Sequence, residues 1–281
     1  MMNTINLSED SRFAYHDTGG GKPVMLFLHG LGCHAGFWIP LMEAFSKDFR
    51  CIAPDLPGHG LSSFPPDARW SPDFYAGEME AFIGRLKLSD LTVVGHSMGG
   101  LLALSLAQRL PAGIRTMVLS APAGFESFGP LQRTIIMGAM GWLSKTAGSD
   151  ARLRAWLAGL VHKKSEALRQ LLDERVGEAE THGAYLDMLL SSMEGMFRSD
   201  MASRLNTIRQ PVLFVHGAND PFIPNRLLTK ATPEEFAREA AGRLPDATLE
   251  LFPACGHFPH LEYPERFAGV MRRFVGIHGR E

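Results

Sequence analysis

A single serine stands in residues 93–104, VVGHSMGGLLAL, with glycines at positions 95, 99 and 100. The apolar residues before Gly95 favour a strand, and the run that begins at Met98 favours a helix. A serine on such a sharp turn has strained backbone angles, and its neighbours must be small to avoid clashes. The turn holds the Ser97 hydroxyl at the helix N-terminus, where partial positive charge favours a developing anion. Ser97 is therefore a candidate nucleophile, and the alternative is a simple helix-capping serine.

The elements that would position Ser97 come from short apolar runs that alternate with segments of helical spacing. The apolar runs lie at 24–30, 51–58, 92–97, 116–122, 212–217 and 248–253, and the helical segments at 37–49, 71–86, 98–110 and 264–275. This alternation predicts an α/β fold with a mostly parallel central sheet flanked by helices. Residues 12–23, RFAYHDTGGGKP, alternate and then turn on glycines, which predicts an edge hairpin leading into the first buried strand.

One long stretch breaks the alternation. From about residue 124 to residue 206 only amphipathic segments occur, such as SEALRQLLDERV and GAYLDMLLSSMEGMF. We expect a helical cap at 124–206, inserted into a core domain of residues 1–123 and 207–281. The alternative is that these helices complete the outer layer of the sheet.

The overall composition restricts the class of protein. The 281 residues are 45% hydrophobic and carry a net charge of -2, so neither nucleic acid nor an anionic membrane is an expected partner. No signal peptide and no apolar run of membrane-spanning length is found. The three cysteines lack a metal-binding or disulfide spacing, which favours reduced thiols, a cytoplasmic location and no metal. The oligomeric state is not predicted.

Several segments together resemble the α/β-hydrolase family over nearly the whole chain. They are YHDTGGGKP, LFLHGLG, CIAPDLPGHGLS, VVGHSMGG, PVLFVHGANDPFIP and PACGHFPHLEYPERF, in the family's order and at its usual spacings. The resemblance implies the α/β-hydrolase fold with a helical cap. It also implies catalytic residues in the chain order serine, acid, histidine. No cofactor is expected, because the sequence has no P-loop and the glycines of GHSMGG do not have the dinucleotide-binding spacing.

A serine hydroxyl is a poor nucleophile until a base accepts its proton. The resemblance implies Asp220 as the acid, after the strand in VLFVHGAND, and His257 as the base, after LELFPACGH. Asp220 would orient the imidazole of His257, which would take the proton from Ser97. Two alternatives stay open: Glu126, after TMVLSAP, as the acid, and His260 as the base.

The resemblance also implies an oxyanion hole made of two backbone N–H groups. One is that of Met98, the residue after the nucleophile, and the other is that of Leu31 in the loop HGLG. Nearby polar residues are interpreted as structural: His29, Asp55, His59 and His96.

The substrate pocket is expected to be apolar. Its wall candidates are Leu31, Phe37, Trp38, Met98, Phe125, Phe222 and Phe258, with Met137, Met140, Trp142, Met188 and Met196 from the cap. Methionines suit an adaptable lid, although they are equally common as core filler. The cap arginines are interpreted as solvated, so the expected substrate is an uncharged acyl group: Arg133, Arg152 and Arg154.

These features together predict a serine hydrolase that cleaves a carboxylic ester, lactone or thioester through an acyl-enzyme on Ser97. A serine at this position argues against a dehalogenase or an epoxide hydrolase. The loop HGLGCH also lacks the glycine–proline pattern typical of proline iminopeptidases and of meta-cleavage C–C hydrolases. The alternatives are an acyltransferase, a cofactor-free oxygenase or perhydrolase, and a ligand receptor on the same scaffold.

Overall fold

The computed structural model describes residues 2–21, 23–65, 68–146, 159–163, 183–225 and 228–278. Its strands are β1 (Met2–Asn6), β2 (Arg12–Asp17), β3 (Val24–Leu28), β4 (Arg50–Pro54), β5 (Leu91–His96), β6 (Ile114–Ser120), β7 (Val212–Gly217) and β8 (Ala247–Phe252). They form one sheet in the order β1-β2-β4-β3-β5-β6-β7-β8. Neighbours from β4 to β8 pair in parallel, whereas β1 with β2 and β2 with β4 are antiparallel. The predicted fold class is confirmed.

Helices cover both faces of the sheet. They are α1 (Ile39–Phe45), α2 (Pro72–Arg85), α3 (Met98–Arg109), α4 (Pro130–Thr146), α5 (Gly183–Arg198), α6 (Met201–Arg204), α7 (Pro233–Gly242), α8 (Pro259–Glu262) and α9 (Pro264–His278). Successive side chains of a strand point to opposite faces. In β3, Leu26 and Leu28 join the core formed with α2 and α3, while Met25 and Phe27 join the core formed with α1 and α9. Burial on both faces explains why these strands read as continuous apolar runs.

The predicted hairpin between residues 12–17 and the first buried strand is wrong, because β2 pairs with other strands. The hairpin joins β1 to β2 through residues 7–11, and β2 then pairs with β4, as in the register Tyr15 with Pro54. The glycines that follow β2 do not close a hairpin, because the chain must skip the position of β4 to begin β3. Gly19 and Gly20 have φ of 70° and 94°, a backbone conformation that glycine adopts at little cost.

Two further elements differ from the sequence expectation. Strand β8 lies at the edge of the sheet and is only half-buried, although its sequence resembles the central strands. Helix α7 was not among the expected helices, yet its start is encoded locally. The Thr232 side chain accepts from the backbone of Glu235, and the Glu235 carboxylate accepts from the backbone of Thr232. This capping box is readable from the Thr-x-x-Glu spacing.

The described residues within 124–206 include α4, the segment 159–163, α5 and α6. Helix α5 contacts α2 through the Tyr75 hydroxyl, which lies 3.0 Å from Ser192 Oγ. Met201 and Leu205, just after α5, are buried in the same core as Leu101 of α3. The packing of the sheet core therefore resumes before residue 206.

Candidate active site

Ser97 occupies the turn between β5 and α3. Its φ and ψ are 52° and −115°, a strained combination for a residue other than glycine. The surrounding glycines are required by close approach of the backbone. A Cβ at Gly95 would lie 2.3 Å from the carbonyl oxygen of Gly99, and one at Gly99 would lie 2.1 Å from that of Leu28. These distances agree with the prediction that the neighbours of Ser97 must be small to avoid clashes.

The loop after β3 lies directly beside Ser97. A Cβ at Gly30 would meet Ser97 Cβ at 3.2 Å, so the small residue at this position allows the loop to approach the turn. His29 Nε2 accepts from the backbone N–H of Leu56, at 2.9 Å. His59 Nε2 accepts from Gly32 N at 3.0 Å. These histidines hold the loop in place, which is the structural role predicted for both.

Asp55, which directly follows β4, holds the loop after β3 at a point further along the chain. One carboxylate oxygen accepts from Ala35 N at 2.7 Å, and the other accepts from Leu61 N at 2.9 Å. His96, also interpreted as structural, has its Nε2 2.9 Å from the carbonyl oxygen of His257. Buried polar contacts thus join the loop bearing Leu31 to the residues after β4, and the turn bearing Ser97 to the loop bearing His257.

Asp220 and His257 meet after β7 and β8, where the sequence predicts an acid and a base. His257 Nδ1 lies 2.8 Å from Asp220 Oδ2, and both side chains are almost wholly buried. The other oxygen of Asp220 accepts from Phe222 N at 2.8 Å and from Ile223 N at 3.0 Å. His216 of β7 lies on the other side, its Nε2 3.7 Å from Asp220 Oδ2 and 3.0 Å from the carbonyl oxygen of Ile223.

The environment keeps Asp220 ionised. Complete burial alone would raise the pKa of its carboxyl, but His257, His216 and the backbone around it together outweigh this effect. The backbone N–H of Ile223 acts in the same direction, and the net result is a pKa below the usual value. Burial lowers the pKa of His216, which favours its neutral form beside the pair. An ionised Asp220 is able to fix the Nδ1–H tautomer of His257.

The two rival residues have other surroundings. Glu126 accepts from Asn225 N at 2.9 Å and lines a separate cavity of about 270 Å³. Burial raises the pKa of its carboxyl to about 7. His260 is buried against Trp38, with ring centroids 4.3 Å apart, and its Nδ1 lies 3.3 Å from Ser120 Oγ. Burial lowers the pKa of His260 to about 3. Neither side chain lies among the described residues that line the cavity at Ser97.

Ser97 and His257 line one cavity of about 40 Å³. Its described lining also includes Gly30, Leu31, Cys33, His96, Leu160, Met193, Met196, Phe222 and Phe258. Four expected wall residues, Leu31, Met196, Phe222 and Phe258, are in this set. Of the expected pair, His257 lines the cavity, and Asp220 contacts His257 from behind.

Other expected wall residues lie elsewhere. Phe37 packs behind Phe258, with ring centroids 6.1 Å apart, and Trp38 is buried between Phe27 and His260. Phe125 packs edge-on against Phe214 in the core and lines the second cavity. The reason is that the short helical turn Ala35–Trp38, which precedes α1, and the residues after β6 bury their aromatic side chains in the interior. Met98 and Met188 are likewise in the buried interior.

Some residues of the predicted cap lie beyond what the structure describes. Met137 is half-buried on α4, whereas the side chains of Met140 and Trp142 fall outside the described part. Arg133 donates from Nη1 to the carbonyl oxygen of Phe128 at 3.0 Å, and Arg152 and Arg154 fall outside the described residues.

Five residues of the described wall were not expected there from the sequence: Gly30, Cys33, His96, Leu160 and Met193. Cys33 is two positions from Leu31, so its proximity to the site was a usable signal. Leu160 and Met193 belong to amphipathic segments, in which spacing identifies an apolar face but not the partner of that face.

Comparison with known proteins agrees with this architecture. Residues 23–264 match the family model described as the alpha/beta hydrolase fold. The chain belongs to the α/β-hydrolase fold family. A similar member is a pimeloyl-[acyl-carrier protein] methyl ester esterase of Nitrosomonas europaea, 29% identical over 89% of this chain and 95% of that protein. Another is a 2-hydroxymuconate semialdehyde hydrolase of a Pseudomonas species, 30% identical over 92% of this chain and 89% of that protein.

Solved structures of this family have the same fold. A probable hydrolytic enzyme from Pseudomonas aeruginosa superposes with a TM-score of 0.84 at 23% identity, covering 98% of this chain and 94% of that one. An enol-lactonase from Burkholderia xenovorans gives a TM-score of 0.78 at 22% identity, covering 98% and 100% of the two chains.

Two further features bear on partners. Across the described residues, no helix combines the length and the apolar character that a bilayer crossing needs. Within the same residues, no group of three or more histidine, cysteine, aspartate or glutamate side chains is arranged to hold a metal ion.

Proposed function

We propose that this α/β hydrolase is a serine hydrolase that cleaves a carboxylic ester, lactone or thioester through an acyl-enzyme on Ser97. One observation carries the proposal. The imidazole of His257, paired at 2.8 Å with the buried carboxylate of Asp220, lines the same cavity as the strained Ser97. A nucleophile, a base and an orienting acid are the minimum set for this chemistry.

The proposed reaction has two halves. His257 Nε2 takes the proton of Ser97 as Oγ attacks the carbonyl carbon, and the imidazolium then donates that proton to the leaving group. In the second half, His257 removes a proton from the water that attacks the acyl-enzyme, and the imidazolium returns that proton to Ser97 Oγ as the acid leaves. Asp220 remains ionised throughout and stabilises the charged imidazole.

The tetrahedral intermediates need donors for their oxyanion. Met98 is the first residue of α3, where backbone N–H groups lack partners within the helix and the helix dipole favours negative charge. We assign the second donor to the backbone N–H of Leu31, because the preceding residue, Gly30, lies very close to Ser97. Losing one such donor typically costs about 3–4 kcal/mol of transition-state stabilisation.

We further propose that the acyl group is apolar and uncharged. The described wall beyond the reacting residues is mainly hydrophobic, with Leu160, Met193, Met196, Phe222 and Phe258. Two of these residues come from α5, which supports a cap role for the stretch 124–206. Because Phe125 and Met201 pack in the core, we infer that the cap boundaries lie inside that stretch. The buried thiols support a cytoplasmic location.

Labelling by a fluorophosphonate tests the nucleophile directly. Stoichiometric labelling of the native protein and none of Ser97→Ala is the expected result. Labelling that persists in Ser97→Ala contradicts the assignment. The matched control is Ser105→Ala, a buried serine of α3 whose hydroxyl donates to the carbonyl oxygen of Leu101 in its own helix.

Substrate panels separate the remaining possibilities. Turnover of short and medium p-nitrophenyl esters, without turnover of carboxylate-bearing ones, supports an apolar substrate, and the reverse overturns it. Product partitioning with added alcohol identifies an acyltransferase, and a burst without turnover identifies a receptor. Turnover of 2-hydroxymuconate semialdehyde, the compound in the name of the Pseudomonas relative, is tested beside the esters, and a preference for it contradicts the ester assignment.

A further inference from the structure

The loop that carries His257 is joined to a distant part of the chain. The backbone N–H of His257 donates to the carbonyl oxygen of Leu160, at 2.8 Å. A Cβ at Gly256 would lie 2.6 Å from that oxygen and 2.8 Å from the backbone nitrogen of His162. Glycine at position 256 therefore allows residues 159–163 to lie directly on the histidine loop.

A buried carboxylate lies between the two segments. Glu262, at the end of α8, is 3% exposed. Its Oε2 accepts from the backbone N–H groups of His162 and Lys163, at 2.8 and 2.7 Å. Its Oε1 accepts from Gly256 N at 2.9 Å and from Phe258 N at 3.3 Å. One side chain thus bonds the residues on either side of His257 and two residues of segment 159–163.

The proposed catalytic scheme does not use Glu262, yet a buried carboxylate is retained only where strong donors compensate its desolvation. Here all four donors are backbone groups, so the carboxylate fixes the course of two loops rather than neutralising a side chain. The side chain of Leu160 lines the cavity at Ser97, and Lys163 Nζ lies 4.5 Å above the ring of Tyr263. Segment 159–163 is therefore attached at several points to the region around the base.

We propose that Glu262 is a positioning residue that couples the location of His257 to segment 159–163. This rests on the proposed function, in which His257 is the base. Glu262 does not touch the substrate. It sets the backbone on both sides of the imidazole, so a rearrangement of the segment that walls the substrate also shifts the base. A base displaced by about 1 Å loses on the order of 100-fold in rate.

The test compares Glu262→Gln with Glu265→Gln, a nearby exposed glutamate in the first turn of α9. Glutamine has the shape of glutamate, but its NH₂ group faces backbone donors and cannot accept from them. We expect kcat for a p-nitrophenyl ester to fall about 10- to 100-fold with KM changed less than about threefold. Glu265→Gln should stay close to the native rate. Glu262→Asp, which keeps the charge, should recover part of the loss.

A purely structural role gives a different pattern. In that case Glu262→Gln lowers the melting temperature, while kcat per titrated active site at temperatures well below melting stays native. That result overturns the proposal. If Glu262→Gln does not fold, Lys163→Pro replaces it, with Lys163→Ala as its comparison. Both variants lose the ammonium group, but only proline removes an N–H that Glu262 accepts. Lys163→Pro should turn over at least about fivefold more slowly than Lys163→Ala, and equal rates overturn the proposal.

Hydrogen exchange supplies a readout that does not depend on catalysis. The amides of residues 162, 163, 256 and 258 should lose protection together in Glu262→Gln, while those of α3 stay unchanged. Loss in one segment alone, or in neither, overturns the coupling. If Glu262→Gln shows the expected exchange pattern but the native protein hydrolyses no ester, the proposed function fails. The coupling between the two segments then stands as a structural link.

Discussion

The loop that carries Asp220 and the loop that carries His257 are joined by the pair Asp220–His257 and by Asn219 N, which donates to the carbonyl oxygen of Cys255. Different parts of the chain contact the two proposed catalytic side chains. The restraints on Asp220 are local. They come from the N–H groups of Phe222 and Ile223 and from His216, all within residues 216–223. The His257 loop has distant restraints as well as local ones, because Glu262 bonds both Gly256 and His162, the latter 100 positions away.

The acid and the base that serve Ser97 are therefore positioned by different parts of the chain. The acid is positioned by the end of β7 and by the residues that directly follow it. The base is positioned partly by residues between β6 and β7 that lie outside the sheet. Changes to the acid loop should therefore act on the acid without disturbing segment 159–163, whereas changes to the base loop should disturb the base and that segment together.

The largest effect is expected for His257→Gln. Without an imidazole the proton of Ser97 has no acceptor, so kcat should fall by about 10⁵-fold or more. His260→Gln is the matched control. It should keep kcat within about tenfold but lower the melting temperature, because it disturbs a buried ring that packs on Trp38. Steady-state kinetics and thermal unfolding measure both, and the opposite pattern moves the base to His260.

Asp220→Asn should cost less, about 10⁴-fold in kcat, since an amide can hold the wrong histidine tautomer. Glu126→Gln should change kcat by less than about threefold, because Glu126 bonds Asn225 rather than an imidazole. If the larger loss belongs to Glu126→Gln, the acid follows β6 instead of β7. Initial rates on one ester, with labelled sites as the concentration reference, decide between them.

The same two carboxyls should respond oppositely to pH. The folded-state pKa of Asp220 is depressed, so its stabilisation is present above the unfolded value of about 3.9 and is lost as pH falls through the folded value. The pKa of Glu126 is raised to about 7, so its folded state loses stability as pH rises from the unfolded value toward that figure.

Urea unfolding across pH checks this contrast through Glu126→Gln. Relative to the native protein, the variant should gain stability between about pH 4.5 and 7, by at most about 3 kcal/mol. A difference that stays constant with pH contradicts the raised pKa.

The smallest effect is expected for Leu160→Ala. The variant removes an apolar wall but keeps the carbonyl that accepts from His257, so KM should rise about three- to fivefold with kcat nearly unchanged. Leu131→Ala, on the exposed side of α4, is the control, since its side chain is 73% exposed. A fall in kcat at constant KM contradicts the idea that the Leu160 side chain contacts substrate while its carbonyl group positions His257.

Sequence patterns predicted the sheet well, because its central strands are buried on both faces and therefore read as apolar runs. They also located Ser97, whose glycines report close backbone contacts that can be inferred from residue size alone. The assignments of Asp220 and His257 came from the resemblance to a family, and the structure brings these two side chains into contact.

The rest depended on partners that a linear pattern does not name. The pairing of β2 with β4 and the burial of Trp38 both follow from how elements pack, not from their own periodicity. Glu262 shows the same limit. Its position within PHLEYPERF gives no sign of four backbone donors, two of which lie about a hundred residues earlier.

The contact between Gly99 and the carbonyl of Leu28 has a bearing on how new specificities arise in this scaffold. Helix α3 rests on β3 with no space for a methyl group, so the hydroxyl of Ser97 has a nearly invariant position relative to the sheet. Adaptation to another acyl chain must then come from the walls that face it. Libraries directed at Met193 and Met196 should yield altered substrate ranges, and libraries in α3 should yield mainly inactive protein.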